Sequence, residues 1–309
     1  MKYAVIGTGA IGGYYGGLLA KQGLDVHFLL HSDYAEVKQR GLQVDSINGN
    51  FTIDVNAYGS ASEMPKCDVA IVALKTTHNH LLTDLLPQIV RENGVVMMLQ
   101  NGHGVEQAAA DILPQATIIG GLCFICSTKV GAGHIKHTDY GSITLGEYCH
   151  NQPSSSASDI LQDIANDFTT SNIDTQITEN LEITRWQKLV WNIPYNGLSV
   201  VLNSGTQTIM QHDKSRQLVK SLMLEVINVA NANGLSLTIE LADTMLENTA
   251  KMKDYAPSMK VDFDTQRPLE IEAIYKNPIE YATAAGQVMP LTQMLYQQLS
   301  FLNDRNINR

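Results

Sequence analysis

The apolar run Tyr3-Ala4-Val5-Ile6 leads directly into Gly7-Thr8-Gly9-Ala10-Ile11-Gly12 and then into a helix-compatible stretch. Strand, glycine turn and helix in that order admit few folds. In a G-x-G-x-x-G turn the first glycine closes the bend, the second lets a pyrophosphate approach the backbone, and the third lets helix and strand pack closely. N–H groups at the helix start, with the positive end of its dipole, supply an anion site. Leu19, Leu24, Val26, Phe28, Leu29 and Leu30 continue a β-α-β pattern. The turn therefore reads as a dinucleotide cradle made by Gly7, Thr8, Gly9, Ala10, Ile11 and Gly12, with a purely structural turn as the competing reading.

The second strand, residues 25–30, ends where such folds read the adenosine ribose, about 20 residues past the glycines. An acidic residue there would accept from the 2′-hydroxyl and repel a 2′-phosphate. The chain has His31-Ser32 instead. A histidine able to carry charge and a hydroxyl suit a phosphate better, which favours NADP (NADPH) over NAD. Asp33 keeps the NAD reading open, since a small shift of the turn brings its carboxylate to the ribose, and an ordinary loop histidine is an equal reading of His31.

A chain of 309 residues has room for two domains with separate cores. Its formal charge of −10 argues against a surface that tracks nucleic-acid phosphates. The first apolar run breaks at Gly7, and no stretch of about 18 apolar residues occurs, so neither a targeting segment nor a membrane partner is expected. Cys123-Phe124-Ile125-Cys126 has redox spacing but falls within an apparent strand, where i and i+3 face opposite ways. Two buried thiols and a reducing, cytoplasmic setting are the expectation.

Short β-rich runs at 41–46, 51–55, 69–74, 95–100 and 117–125 alternate with helical stretches at 81–92 and 105–112. Near-continuous apolar strands such as 69–74 imply a sheet covered on both faces, parallel and doubly wound. Ligands of such sheets lie beyond the strands' carboxyl ends. Lys75-Thr76-Thr77 and Gln100-Asn101-Gly102 occupy two such ends and are candidates on that ground, although Asn-Gly is also a favoured turn.

After an extended region at 133–148 and a polar stretch at 151–156, the pattern becomes helical. A Rossmann-type domain over residues 1–178 and an all-helical domain over 179–309 are expected, with a hinge near 179. Lys188, Asn192 and Asn196 recur at i, i+4 and i+8 and form one polar stripe on the first helix of that domain. Pro194 is expected to disturb it, since an interior proline costs about 3 kcal/mol. Pro268 suits the first turn of a later helix whose apolar face is Ile271, Ile274, Ile279 and Ala282. His78-Asn79-His80 has no third ligand at suitable spacing, so no metal is expected, and His134 and His137 read as structural.

Taken in order, Gly7 to Gly12, Lys75-Thr76, Gln100-Asn101-Gly102, Gly133-His134-Ile135-Lys136-His137, Leu145-Gly146-Glu147, Trp186-Gln187-Lys188 with Asn192 and Asn196, and Ser258-Met259 with Glu270 resemble the ketopantoate reductase (2-dehydropantoate 2-reductase) family nearly end to end. The resemblance implies a Rossmann domain joined to a helical domain of the 6-phosphogluconate dehydrogenase type, with the active site in the cleft between them. It implies NADPH-dependent reduction of a 2-keto acid to a 2-hydroxy acid in pantothenate and coenzyme A biosynthesis. Lys188 then takes the place of the general acid and Glu270 of the carboxylate that works with it. Asn101, Asn192, Asn196 and Ser258 orient the substrate. Lys75, Asn101 and Glu270 also face the cofactor, and a homodimer is compatible with the family.

Four positions depart from the family's usual pattern. His31 stands for arginine, Leu269 for threonine, Pro257 for serine and Lys276 for glycine. The last three flank the substrate side and leave the reaction type standing while opening the choice of keto acid. Asp262 and Arg267 follow the pattern and read as a stabilising charge pair. A dehydrogenase for an opine or a polyol phosphate and a non-catalytic NADP sensor are the alternatives; Lys188 with Glu270 argues against the sensor.

Overall fold

The computed structural model describes residues 1–149, 158–252 and 254–307. The chain divides into two compact units, Met1–Gln100 with Val105–Leu181, and Asn101–Gly104 with Glu182–Arg309.

The first unit is a βα sandwich. It runs β1 (Lys2–Ile6), α1 (Ala10–Lys21), β2 (Asp25–Leu29), α2 (Tyr34–Arg40), β3 (Leu42–Ser46), β4 (Phe51–Ile53), β5 (Asn56–Tyr58), β6 (Cys67–Val72), α3 (Leu82–Ile89), β7 (Val90–Met98), α4 (Val105–Ile112), β8 (Thr117–Gly131), β9 (His134–Glu147), α5 (Asp159–Thr170) and β10 (Thr175–Ile177). Sheet order is β4-β3-β9-β8-β7-β6-β1-β2-β5, and β10 pairs with β9. The stretch β5-β2-β1-β6-β7-β8 is parallel, as its apolar strands require. Tyr3, Ala4, Val5 and Ile6 are all fully buried, so both faces of β1 are covered. Tyr3, Val5, Ile71 and Met97 share a core with Tyr15 and Leu19 of α1 and Phe168 of α5. The alternate residues face the opposite way, the side on which α3 and α4 pack together.

Beyond β8 the sheet departs from a purely parallel, doubly wound one. β8 and β9 form a long antiparallel hairpin, β3 joins β9 in parallel, and β4 pairs antiparallel with β3. The region expected only to be extended is therefore a central strand. The helix expected through residue 92 ends at Ile89, because Val90 turns extended and pairs with Cys67, while Asn93 sits at φ 52. Left-handed backbone there cannot continue a helix. Cys123 and Cys126 are buried on β8 and not joined in a disulfide, in line with the expectation of two buried thiols.

The second unit is helical: α6 (Leu181–Val201), α7 (Thr206–Gln211), α8 (Asp213–Ala232), α9 (Glu240–Lys251), α10 (Ser258–Asp264), α11 (Asn277–Ala284) and α12 (Pro290–Ile307). A π-helical turn, Glu272–Lys276, precedes α11. α6 follows the division of the chain after Leu181 and is the core helix of the second unit. Trp186, Leu189, Val190, Ile193, Tyr195 and Leu198 are buried around its circumference, the mark of a helix enclosed by others. It runs through Pro194 without a break. Pro268 does not open a helix; it lies in the irregular segment after α10, three residues before helical backbone resumes at Ile271. Glu225 of α8 caps α12, accepting from the Leu291 and Thr292 N–H groups at 2.9 and 2.8 Å, where a carboxylate also complements the helix dipole. No helix among the described residues is long and apolar enough to cross a membrane.

Candidate active site

In the first unit the chain order reverses at β1, which lies between β2 and β6. Such a switch point opens a crevice at the strands' carboxyl ends. Gly7 takes φ +99, and a Cβ there would stand 2.5 Å from the Leu74 nitrogen, so the turn after β1 and the turn after β6 touch through a residue only glycine can be. A Cβ on Gly12 would meet the Gly7 carbonyl oxygen at 2.3 Å and both Ala73 Cβ and Val5 Cγ1 at 3.0 Å. A Cβ on Gly9 would meet nothing within 4 Å, so the second glycine faces open space while the other two are packed. Gly9 is also the N-cap of α1 and gives it no side-chain cap, and no acidic residue stands in the first turn. The first N–H groups of α1, at Ala10, Ile11 and Gly12, have no intrahelical acceptor. Packing, open approach and unopposed donors together fit a pyrophosphate.

The Thr8 hydroxyl donates to the Leu29 carbonyl at 3.3 Å and ties this turn to the end of β2. There His31 and Ser32 are exposed and Asp33 is buried. The Asp33 carboxylate accepts from Lys129 Nζ at 2.7 Å, from the Gly133 N–H at 2.9 Å and from the Ser32 hydroxyl at 2.9 Å. Burial alone would raise this carboxyl. The three hydrogen bonds and the Lys129 charge outweigh it and hold Asp33 below the usual carboxylate range.

Lys75 is half-buried directly after β6 and leads a 3-10 turn, Thr76–Leu81, that carries His78 and His80. Gln100, buried after β7, donates to the Leu74 carbonyl at 2.8 Å and to Asn79 Oδ1 at 2.7 Å, joining two of the strand-end loops. His134 pairs with Asp45 at 2.7 Å. His137 is bonded to Ser46 at 2.8 Å and to the Tyr140 carbonyl at 2.9 Å, so both histidines hold strands together.

The second unit contains Asn101, Lys188, Asn192, Asn196, Ser258 and Glu270 together. Continuity of α6 keeps Lys188, Asn192 and Asn196 on one stripe, with Lys188 half-buried and both asparagines buried. Three other segments are fastened to that helix or to each other. The Tyr275 hydroxyl donates to the Ile193 carbonyl at 2.9 Å, and a Cβ on Gly197 would lie 2.7 Å from that hydroxyl. The π turn thus packs closely on α6 and fixes the segment that begins with buried Glu270. Asn196 Oδ1 accepts from the Met259 N–H at 3.2 Å, which satisfies one orphan donor of α10 and places half-buried Ser258 at that helix's start. The loop 101–104 is held by the His103 N–H, which donates to the Ala273 carbonyl at 2.8 Å, and by Asn277, which donates to the His103 carbonyl at 2.7 Å. A Cβ on Gly102, at φ +97, would strike the Ala273 carbonyl oxygen at 2.5 Å.

Two further groups lie on the loop 101–104 and on α6 and were not singled out from the sequence. His103 Nε2 lies 3.0 Å from Glu182 Oε1, and the same oxygen accepts from the Trp186 indole at 2.8 Å. Burial would raise the Glu182 carboxyl, but His103, Trp186 and the charge of Arg185 together lower it. The spacing of 79 residues between His103 and Glu182 leaves no local signal for that pair. The buried Asn192 Nδ2 has no hydrogen-bond partner among the described residues. An unsatisfied buried donor costs about 1–3 kcal/mol. A ligand oxygen accepting there would remove that cost.

The departures from the expected pattern are accounted for locally. Leu269 is buried and its N–H donates to Asn303 Oδ1 at 2.9 Å. Pro257 caps α10, and Lys276 pairs with Glu272 at 2.7 Å on the surface. Arg267 reaches buried Asp262 at 3.0 Å, a charge pair that closes the end of α10.

The model of the ketopantoate reductase PanE/ApbA family matches residues 3–150, and that of the family's C-terminal domain matches residues 180–303. A 2-dehydropantoate 2-reductase of Nostoc sp. is 55% identical over 306 residues, which cover 99% of this chain and 96% of the relative. The crystal structure of 2-dehydropantoate 2-reductase from Geobacter metallireducens is 40% identical and superposes with a TM-score of 0.92, covering 97% of this chain and 99% of that one. The corresponding enzyme from Methylococcus capsulatus is 33% identical, with a TM-score of 0.90 over 99% of this chain and 98% of its own. Glycine turn, helical polar stripe and end-to-end similarity agree: the chain belongs to the ketopantoate reductase family.

Proposed function

We propose that this chain reduces 2-dehydropantoate (ketopantoate) to pantoate with NADPH, a step toward pantothenate and coenzyme A. The observation that carries this reading is the fastening of the Asn101 loop, the Glu270 segment and α10 to one another or to α6, whose buried Asn192 amide finds no acceptor among the described residues. NADPH, when bound, supplies the hydride that reaches the ketone carbon. Gly7 to Gly12 would hold its pyrophosphate, His31 and Ser32 its adenosine end, and Lys75 its nicotinamide ribose, with Asn101 as a further cofactor contact. Residues 1–178 act as the NADP-binding domain and 179–309 as the substrate and catalytic domain.

On the substrate side, Asn101, Asn192, Asn196 and Ser258 hold the keto acid. Reduction builds alkoxide charge on the ketone oxygen, so a cation that gives up a proton there both stabilises the transition state and completes the alcohol. The Lys188 ammonium fills that role. Glu270, buried close to the π turn, holds Lys188 in line and assists its reprotonation from water. The enzyme works in the cytoplasm, as a homodimer.

The test follows NADPH absorbance with ketopantoate, beside NADH and beside a panel of 2-keto acids. Turnover highest with ketopantoate and NADPH supports the reading. Turnover of a different keto acid keeps the chemistry but moves the substrate, and implicates Leu269, Pro257 and Lys276. Tight NADPH binding with no turnover across the panel overturns the enzyme reading.

A further inference from the structure

Asp33 lies four residues past Leu29, the end of β2, near the turn where an NAD-selecting carboxylate would act, yet its side chain is committed elsewhere. It occupies the N-cap of α2, where aspartate ordinarily accepts from the helix's own N–H groups, and it makes no such cap. Instead it reaches the β8–β9 hairpin. Lys129 Nζ lies 2.7 Å from both carboxylate oxygens, and the N–H of Gly133 reaches Oδ2 at 2.9 Å. The Ser32 hydroxyl donates to Oδ1 at 2.9 Å, and the Asp33 side chain is only 6% exposed. A ribose 2′-hydroxyl would have to displace a cation and two further donors to reach it. Lys129, by contrast, is 31% exposed beside the same turn and brings a positive charge to the strand end where the family's usual arginine is missing.

Resting on the dinucleotide reading given above, we propose that the Asp33–Lys129 pair sets the cofactor preference of this enzyme. Lys129 withdraws the carboxylate from the ribose and stands as a cation for the 2′-phosphate, while the Asp33 charge offsets part of that of Lys129. Neither residue enters the hydride or proton transfer. Charge-assisted hydrogen bonds to phosphate are roughly twice as strong as neutral ones, so one lysine is enough to move the preference measurably.

The test is the equilibrium dissociation constant of NADP+ and of NAD+, measured by calorimetry on the wild type, Lys129→Met and Asp33→Asn, without substrate. Lys129→Met is expected to weaken NADP+ about tenfold, roughly one charge-assisted contact, and to tighten NAD+ as Asp33 is released. Asp33→Asn keeps the shape of the turn, removes the charge opposing Lys129, and is expected to tighten NADP+ and leave NAD+ unchanged. Loss of NAD+ affinity in Asp33→Asn overturns the proposal, because it makes Asp33 the ribose acceptor. An unchanged NADP+ to NAD+ ratio in Lys129→Met overturns it as well. If Lys129→Met does not fold, Asp33→Asn decides alone. If the wild type binds neither dinucleotide, it is the underlying dinucleotide reading that fails.

Discussion

The two units carry their functional groups in opposite ways. In the first, the cradle is backbone: three glycines within six residues, two of them packed and one open, at the end of a buried strand. In the second, the candidate groups are side chains spread from Asn101 to Glu270 and held by contacts far apart in sequence, such as Tyr275 with Ile193 and His103 with Glu182. Backbone sites depend on local geometry, so they show as motifs. Side-chain sites depend on tertiary packing, so only helical spacing or family resemblance reveals them.

The largest effect that would break this contrast is Gly7→Val. A β-branched residue at φ +99, with its Cβ 2.5 Å from the Leu74 nitrogen, adds backbone strain to overlap, together roughly 3 kcal/mol or more. Calorimetry should find dinucleotide binding abolished and scanning should find a much lower melting temperature; retained binding would show that the turn is not the cradle. Asn192→Leu sharpens the other side. Replacing an unsatisfied buried donor with an apolar group of similar size should leave stability unchanged or higher by about 1 kcal/mol, while kcat/KM for the keto acid falls about 10- to 100-fold. A large loss of stability would instead make Asn192 a structural residue.

Much of the first unit was legible because apolar continuity and glycine spacing are local. The parallel strands, the close-packed Gly12 and the buried thiols follow from them. The β8–β9 hairpin was not, since a strand that joins β3 to β8 shows no distinct local period. In the second unit the stripe at 188, 192 and 196 is readable, and α6 continues through Pro194 within the core of its unit. Pro268 gives no sure sign of a helix start, because a proline that suits a first helical turn suits an irregular connection equally well. Asn196 shows a further limit: its amide oxygen caps α10, a role that only the partner's position discloses.

Smaller effects test the tethers. Glu182→Gln weakens the hold on His103 and should raise the keto-acid KM a few-fold, with kcat and dinucleotide affinity little changed. Smallest is the acid response of the first unit. Because the Asp33 carboxyl is held below its unfolded value, it contributes stability above the ordinary carboxylate range, and that contribution is lost as pH falls through the lowered value. Urea unfolding should therefore show the gap between wild type and Asp33→Asn narrowing below about pH 4 and constant near neutrality. A gap that does not change with pH would mean that the ionised carboxylate is not what stabilises the turn.

In the proposed reaction the second unit supplies the proton and the first holds the dinucleotide. Single-turnover NADPH oxidation with ketopantoate, measured for wild type and Lys188→Ala alongside their NADPH dissociation constants, tests it most directly. A loss of about 10²- to 10⁴-fold in the rate of reduction is expected, with NADPH affinity unchanged. Undiminished reduction by Lys188→Ala would contradict it, and so would a rate loss explained entirely by weaker NADPH binding.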